Sequence, residues 1–94
     1  MATTSSKKET FRVLARGATQ VQLVGEFKNW QDRPIPMIKG VDSAWRATVI
    51  LPQGRHEYLF VVDGKLSEDP DCTERVPNST GGFNMVRVVE LPSF

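Results

Sequence analysis

Residues 45–64 read WRATVILPQGRHEYLFVVDG, two runs of alternating apolar residues on either side of a proline–glycine break. Trp45, Ala47, Val49 and Leu51 alternate with Arg46, Thr48 and Ile50. That is the period of two shown by a strand with one buried face. Pro52-Gln53-Gly54 interrupts the run. In the next one His56, Tyr58, Phe60 and Val62 fall on one face and Glu57, Leu59 and Val61 on the other. Asp63-Gly64 follows, a pair suited to the type I′ hairpin turn, which needs positive φ at both central residues. Lys65 and Leu66 then begin a returning strand.

The same punctuation continues outward. Phe11, Val13 and Ala15 make a first short strand closed by Gly17, and Val21 and Leu23 alternate with Gln20 and Gln22 in a second that ends at Gly25. A polar loop from Glu26 to Arg33 carries Trp30. Pro36-Met-Ile-Lys39 reads as a short edge strand, where proline is tolerated, and residues 40–43 turn the chain. Residues 67–82 are turn-rich and at first acidic, and Phe83 to Leu91 is a last, valine-rich strand. No stretch repeats apolar residues at the helical period, so no helix is expected. About seven short antiparallel strands without helices predict an all-β sandwich of the immunoglobulin-like type. Residues 1–9 are small and polar and read as a disordered tail, which leaves residues 10–94 as the domain.

Ninety-four residues make one domain. Lysine and arginine number 12 against 11 acidic residues, a net charge of +1. The charges are scattered and form no basic stripe, which argues against a nucleic-acid partner. No apolar run approaches the ~20 residues that cross a bilayer, so no membrane partner is expected. The first nine residues hold no apolar core of a secretory signal. Cys72 is the single cysteine, so neither an internal disulfide nor a multi-cysteine metal site is expected, and a reducing, cytoplasmic setting fits.

Candidate chemistry is sparse, and neither catalysis nor a cofactor is expected. His56, the one histidine, stands in a strand without an evident partner for acid–base work. Cys72 has no neighbour that would clearly activate its thiol and reads as a half-buried loop residue. Glu68, Asp69, Asp71 and Glu74 lack the ligand spacing of a calcium loop and are interrupted by Pro70, so they read as a solvated acidic loop. Asn78-Ser79-Thr80 fits a glycosylation sequon and reads here as a turn. Trp30 differs from these, because no alternating partner draws it toward a core. It is either a platform for the apolar face of a sugar or an interface anchor, or else a cover for the open end of the sandwich. Trp45, on the alternating strand, is expected in the core.

The run VQLVGEFKNW, residues 21–30, resembles the family 48 carbohydrate-binding modules, which include the glycogen-binding domain of the AMP-activated protein kinase β subunit and the N-terminal domains of isoamylases and branching enzymes. LPQGRHEY (51–58), FVVDG (60–64), Asp69-Pro70 and Gly82-Phe83-Asn84 follow in register, and residues 71–78 resemble free-standing bacterial members. The resemblance implies an early-set immunoglobulin-like sandwich that recognises α-1,4-glucan or an oligosaccharide without catalysis. It implies stacking on two tryptophans and hydrogen bonding by a lysine and an asparagine. The first tryptophan matches Trp30 and the asparagine Asn84. The lysine position holds Leu59 and the second tryptophan position Leu66. The apolar residue at the tip of the late loop matches Thr80, and the threonine after it Gly82. Trp30, Leu66 and Asn84, with Leu59 nearby, are therefore expected on one surface. Its replaced ligands imply weak glucan binding. The alternative on the same fold is a protein partner or self-association, favoured by the aliphatic Leu59 and Leu66.

Overall fold

A computed structural model describes residues 6–28 and 30–90, the side chain of Gln31 excepted. Nine strands run in chain order: β1 (Ser6–Leu14), β2 (Val21–Gly25), β3 (Ile35–Pro36), β4 (Ile38–Lys39), β5 (Ala44–Pro52), β6 (Gly54–Val62), β7 (Lys65–Ser67), β8 (Arg75–Pro77) and β9 (Phe83–Val89). Two 3-10 turns, η1 (Glu26–Lys28) and η2 (Trp30–Asp32), lie between β2 and β3, and no α-helix occurs among the described residues. One antiparallel sheet has the order β1-β5-β4. The other runs β3-β2-β6-β9-β8, with β7 also paired to β6. The two pack as an immunoglobulin-like sandwich. The strands beyond the expected seven or so are pieces of two or three residues.

The inner faces follow the period-two reading. Tyr58, Phe60, Trp45, Ala47, Val49, Val21 and Leu23 are buried, while Val62, at the end of β6, is half-buried. Phe11 meets the Tyr58 ring edge-on at 4.7 Å between centroids, and the Arg87 guanidinium covers Phe11 at 4.1 Å. Each large side chain enclosed in this way is worth about 1.5–3 kcal/mol against leaving it in water. At Asp63-Gly64 the φ angles are 49° and 84°, and Val62 pairs with Lys65 across them, as a type I′ turn requires. Asp63 also fastens this turn to the chain before β2, because its Oδ1 accepts from the Thr19 N–H, the Thr19 hydroxyl and the Gln20 N–H at 2.8–2.9 Å.

Three expectations are corrected. Residues 6–9 of the expected tail belong to β1, whose pairing with β5 runs from Ser6↔Pro52 to Leu14↔Ala44. Backbone hydrogen bonds hold an edge strand without needing apolar side chains, and Glu9 is further held by Arg87 Nη1 at 2.8 Å. The strand expected over 36–39 is split between the sheets. Ile35–Pro36 pairs with β2, Ile38–Lys39 pairs with β5, and the buried Met37 bridges the corner, its N–H donating to the Val21 carbonyl at 2.9 Å. The acidic loop is not uniformly solvated. Asp69 is 5% exposed and accepts the Tyr58 hydroxyl at 2.7 Å, while Glu68 pairs with Arg75 and Glu74 with Arg55. Residues 1–5, Asn29 and the expected end of the last strand at Leu91 lie outside the described residues.

Candidate functional site

The outer face of the larger sheet carries a cleft of about 520 Å³. Its floor comes from β2 and β6, where Val24 pairs with Leu59 and both are buried. β6 is central to its sheet, and its apolar run from Tyr58 to Val61 is buried on both faces, with Leu59 only 6% exposed. Leu66 pairs with Val61 on the same outer face and stays 53% exposed at the rim. The turn from Pro77 to Thr80 and Asn84 of β9 make one wall, and Glu26 and Trp30 contribute from the β2–β3 connection.

Local chemistry places Trp30. Gly25 ends β2 with no room for a side chain: a Cβ there would lie 2.3 Å from the Phe27 ring and 3.0 Å from the Glu57 carbonyl. Phe27 thus folds back over Gly25 and packs beside Phe11 and His56, with centroids 6.1 Å from each. His56, 7% exposed, holds η1 from below, with Nδ1 2.7 Å from Glu26 Oε1 and Nε2 2.8 Å from the Pro52 carbonyl. The histidine therefore has a structural role. With η1 pinned, Trp30 adopts φ of 56°, a left-handed conformation that costs a non-glycine residue about 1–2 kcal/mol. The Arg33 N–H closes the turn on the Trp30 carbonyl at 3.3 Å. The indole is half-buried, packing against the core cluster while also lining the cleft.

All five candidates from the sequence line this one cleft: Trp30, Asn84, Leu66, Leu59 and Thr80. Leu59 does so as buried floor and Leu66 as exposed rim. The sequence reading passed over Glu57, Glu26 and Asn78, which line it as well. Glu57 carried a signal in its parity, since it shares the outward face of β6 with Leu59. Asn78, read as a turn, is more. Its Oδ1 accepts from Thr80 N–H, the Thr80 hydroxyl and Gly82 N–H at 3.1, 2.8 and 2.9 Å, and its Nδ2 donates to Asn84 Oδ1 at 3.1 Å. Asn84 in turn donates to Glu57 Oε1 at 3.0 Å.

Away from the cleft, Cys72 is half-buried, its thiol donating to the Glu74 carbonyl at 3.1 Å. Among the described residues no three metal-binding side chains gather, and no helix is long and apolar enough to cross a membrane.

A two-sheet sandwich with an aromatic-lined cleft on a sheet face has the form of a β-sandwich recognition module. The family model described as the glycogen recognition site of AMP-activated protein kinase matches residues 10–93, and the chain belongs to that family. It is 37% identical over 78 residues to the 5'-AMP-activated protein kinase subunit beta-1 of Rattus norvegicus, covering 83% of this chain and 27% of that protein. To the human beta-2 subunit it is 39% identical over 56 residues, 60% of this chain and 20% of the relative. A 1,4-alpha-glucan branching enzyme of Lactobacillus acidophilus is 37% identical over 84 residues, 84% of this chain and 13% of the enzyme. The chain thus spans between 13% and 27% of the length of these three relatives. The family is a glycogen-binding module rather than a catalytic one.

Proposed function

We propose that this domain is a non-catalytic α-glucan-binding module whose contact surface is the cleft beside Trp30. The supporting observation is that Trp30, Asn84 and Thr80, reached from three separate segments, share one cleft over an aliphatic floor. A half-buried indole offers the face on which a sugar ring stacks, and the neighbouring amides, hydroxyl and carboxylates offer partners for sugar hydroxyls. Binding is weak in this reading, because leucines occupy the positions that the resemblance gives to a lysine and a second tryptophan. One observation favours a second reading, a protein partner or self-association: Leu66 leaves 53% of its surface exposed at the rim. A single free cysteine accords with a reducing, cytoplasmic setting in either case.

Titration with maltoheptaose or β-cyclodextrin, followed by tryptophan fluorescence, tests the glucan reading. Trp45 is 8% exposed, so a ligand-dependent change reports Trp30. Trp30→Ala is expected to abolish binding, and Leu66→Trp to strengthen it about tenfold, the effect of one added aromatic platform worth ~1.4 kcal/mol. No response from either the parent or Leu66→Trp at saturating sugar would overturn this reading in favour of the protein interface.

A further inference from the structure

The hydrogen bonds from the late loop to β6 form a chain whose polarity is forced at both ends. At one end the Thr80 and Gly82 N–H groups can only donate, so the atom of Asn78 that meets them is its oxygen. The Asn78 amide nitrogen therefore faces Asn84 and donates to its Oδ1 at 3.1 Å. That turns the Asn84 nitrogen toward Glu57, where a carboxylate can only accept, at 3.0 Å. Each amide orientation thus follows from its neighbours.

The consequence for the cleft is an asymmetry of unspent groups. The Asn84 carbonyl oxygen already accepts from Asn78, and one of its N–H groups is given to Glu57. Glu57 is the acceptor at the end of the chain, with its second oxygen outside the relay. Among the described residues the charged side chains lining the cleft are Glu57 and Glu26, with no lysine or arginine. Glu26 is engaged by His56 at 2.7 Å. Glu57 takes part in no ion pair among the described residues, and the side chain that meets its carboxylate there is the Asn84 amide.

We infer that the cleft selects its ligand by charge, with Glu57 as the specificity-determining group: it accepts uncharged or amine-bearing α-glucans and disfavours phosphorylated ones. Sugar hydroxyls and ammonium groups donate to a carboxylate, whereas a phosphate meets like charge with no lysine or arginine among the described lining residues to offset it. This inference rests on the glucan reading of the same cleft.

The test compares β-cyclodextrin with its mono-6-amino and mono-6-phosphate derivatives by calorimetry or NMR titration at low ionic strength. The amino derivative is expected to bind about two- to fivefold more tightly than the parent sugar, and the phosphate derivative to bind more weakly by a similar factor. That is the range of a half-exposed ion pair. Glu57→Gln keeps an acceptor for Asn84 while removing the charge, and is expected to bring the three affinities together. On the unaltered protein, ~0.5 M salt should compress the same ranking, because it screens exposed charges. Equal affinities for the three probes, or a ranking unmoved by Glu57→Gln and by salt, would overturn charge selection and leave the glucan reading standing. Binding of the amino derivative alone would show a charge contact without glucan recognition, and would overturn both the inference and the glucan reading. Silence toward all three would overturn both.

Discussion

Replacing Tyr58 by phenylalanine tests how the acidic loop is anchored to the core. The Tyr58 side chain is 1% exposed, and its hydroxyl donates to Asp69 Oδ2 at 2.7 Å; Asp69 Oδ1 takes the Asp71 N–H at 3.0 Å. The substitution leaves the ring packing against Phe11 and Phe60 in place, so the loss is confined to the hydroxyl. It strands one oxygen of a carboxyl group that is 5% exposed. A hydrogen bond to a charged acceptor contributes about 1.5–3 kcal/mol, and ~2 kcal/mol is expected here. For a domain of this size that lowers Tm by roughly 8–16 °C. Urea unfolding followed by far-ultraviolet circular dichroism measures the cost, and a double-mutant cycle with Asp69→Ala isolates the pair, with a coupling of about 1–2 kcal/mol expected. Burial first, and then the Asp69 hydrogen bond, push the Tyr58 phenol well above its ordinary value of 10.0. Stability is therefore full below that value and falls as pH rises above it. Because the chain has one tyrosine, absorbance at alkaline pH should show its ionisation only together with unfolding. A Tyr58→Phe protein within ~0.5 kcal/mol of the parent, or a coupling near zero, would refute the anchoring.

Two further perturbations probe the turns around the cleft and the sheet. Asp63 is held below the usual carboxylate range, first by the Thr19 hydroxyl and then by the Thr19 and Gln20 N–H groups. Its stabilisation is thus present above the ordinary value of 3.8 and declines as pH falls below it. Asp63→Asn keeps an acceptor and tolerates positive φ, so it should flatten the acid-unfolding profile below that pH; profiles of equal steepness would count against the charge effect. Gly25→Ala would put a methyl group 2.3 Å from the Phe27 ring, an overpacking expected to cost about 1–3 kcal/mol. It should also shift Trp30 emission by displacing η1, and an unchanged urea midpoint and spectrum would show that Phe27 moves aside freely.

The features legible in the residues alone are those a strand announces locally. The alternation at 45–51 and 56–62 placed Tyr58, Phe60, Trp45 and Val49 inside, because side chains on a pleated strand change face at every residue. Asp63-Gly64 specified its own turn, with φ of 49° and 84°, since few residue pairs adopt positive φ without strain. The motifs around Trp30 and Asn84 were legible as a set, and the fold brings those residues to one cleft. The remaining features come from contacts between distant segments. Ser6–Glu9 became strand because β5 offers backbone partners as far as Pro52, and backbone pairing leaves no apolar signature in an edge strand. Asp69 left solvent because Tyr58 presents a buried hydroxyl to it. His56 met Glu26 across 30 residues and Asn84 met Glu57 across 27. Periodicity reports which face a side chain occupies, but strand order and register decide which distant group it meets there, and the chemistry of the cleft is made of such meetings.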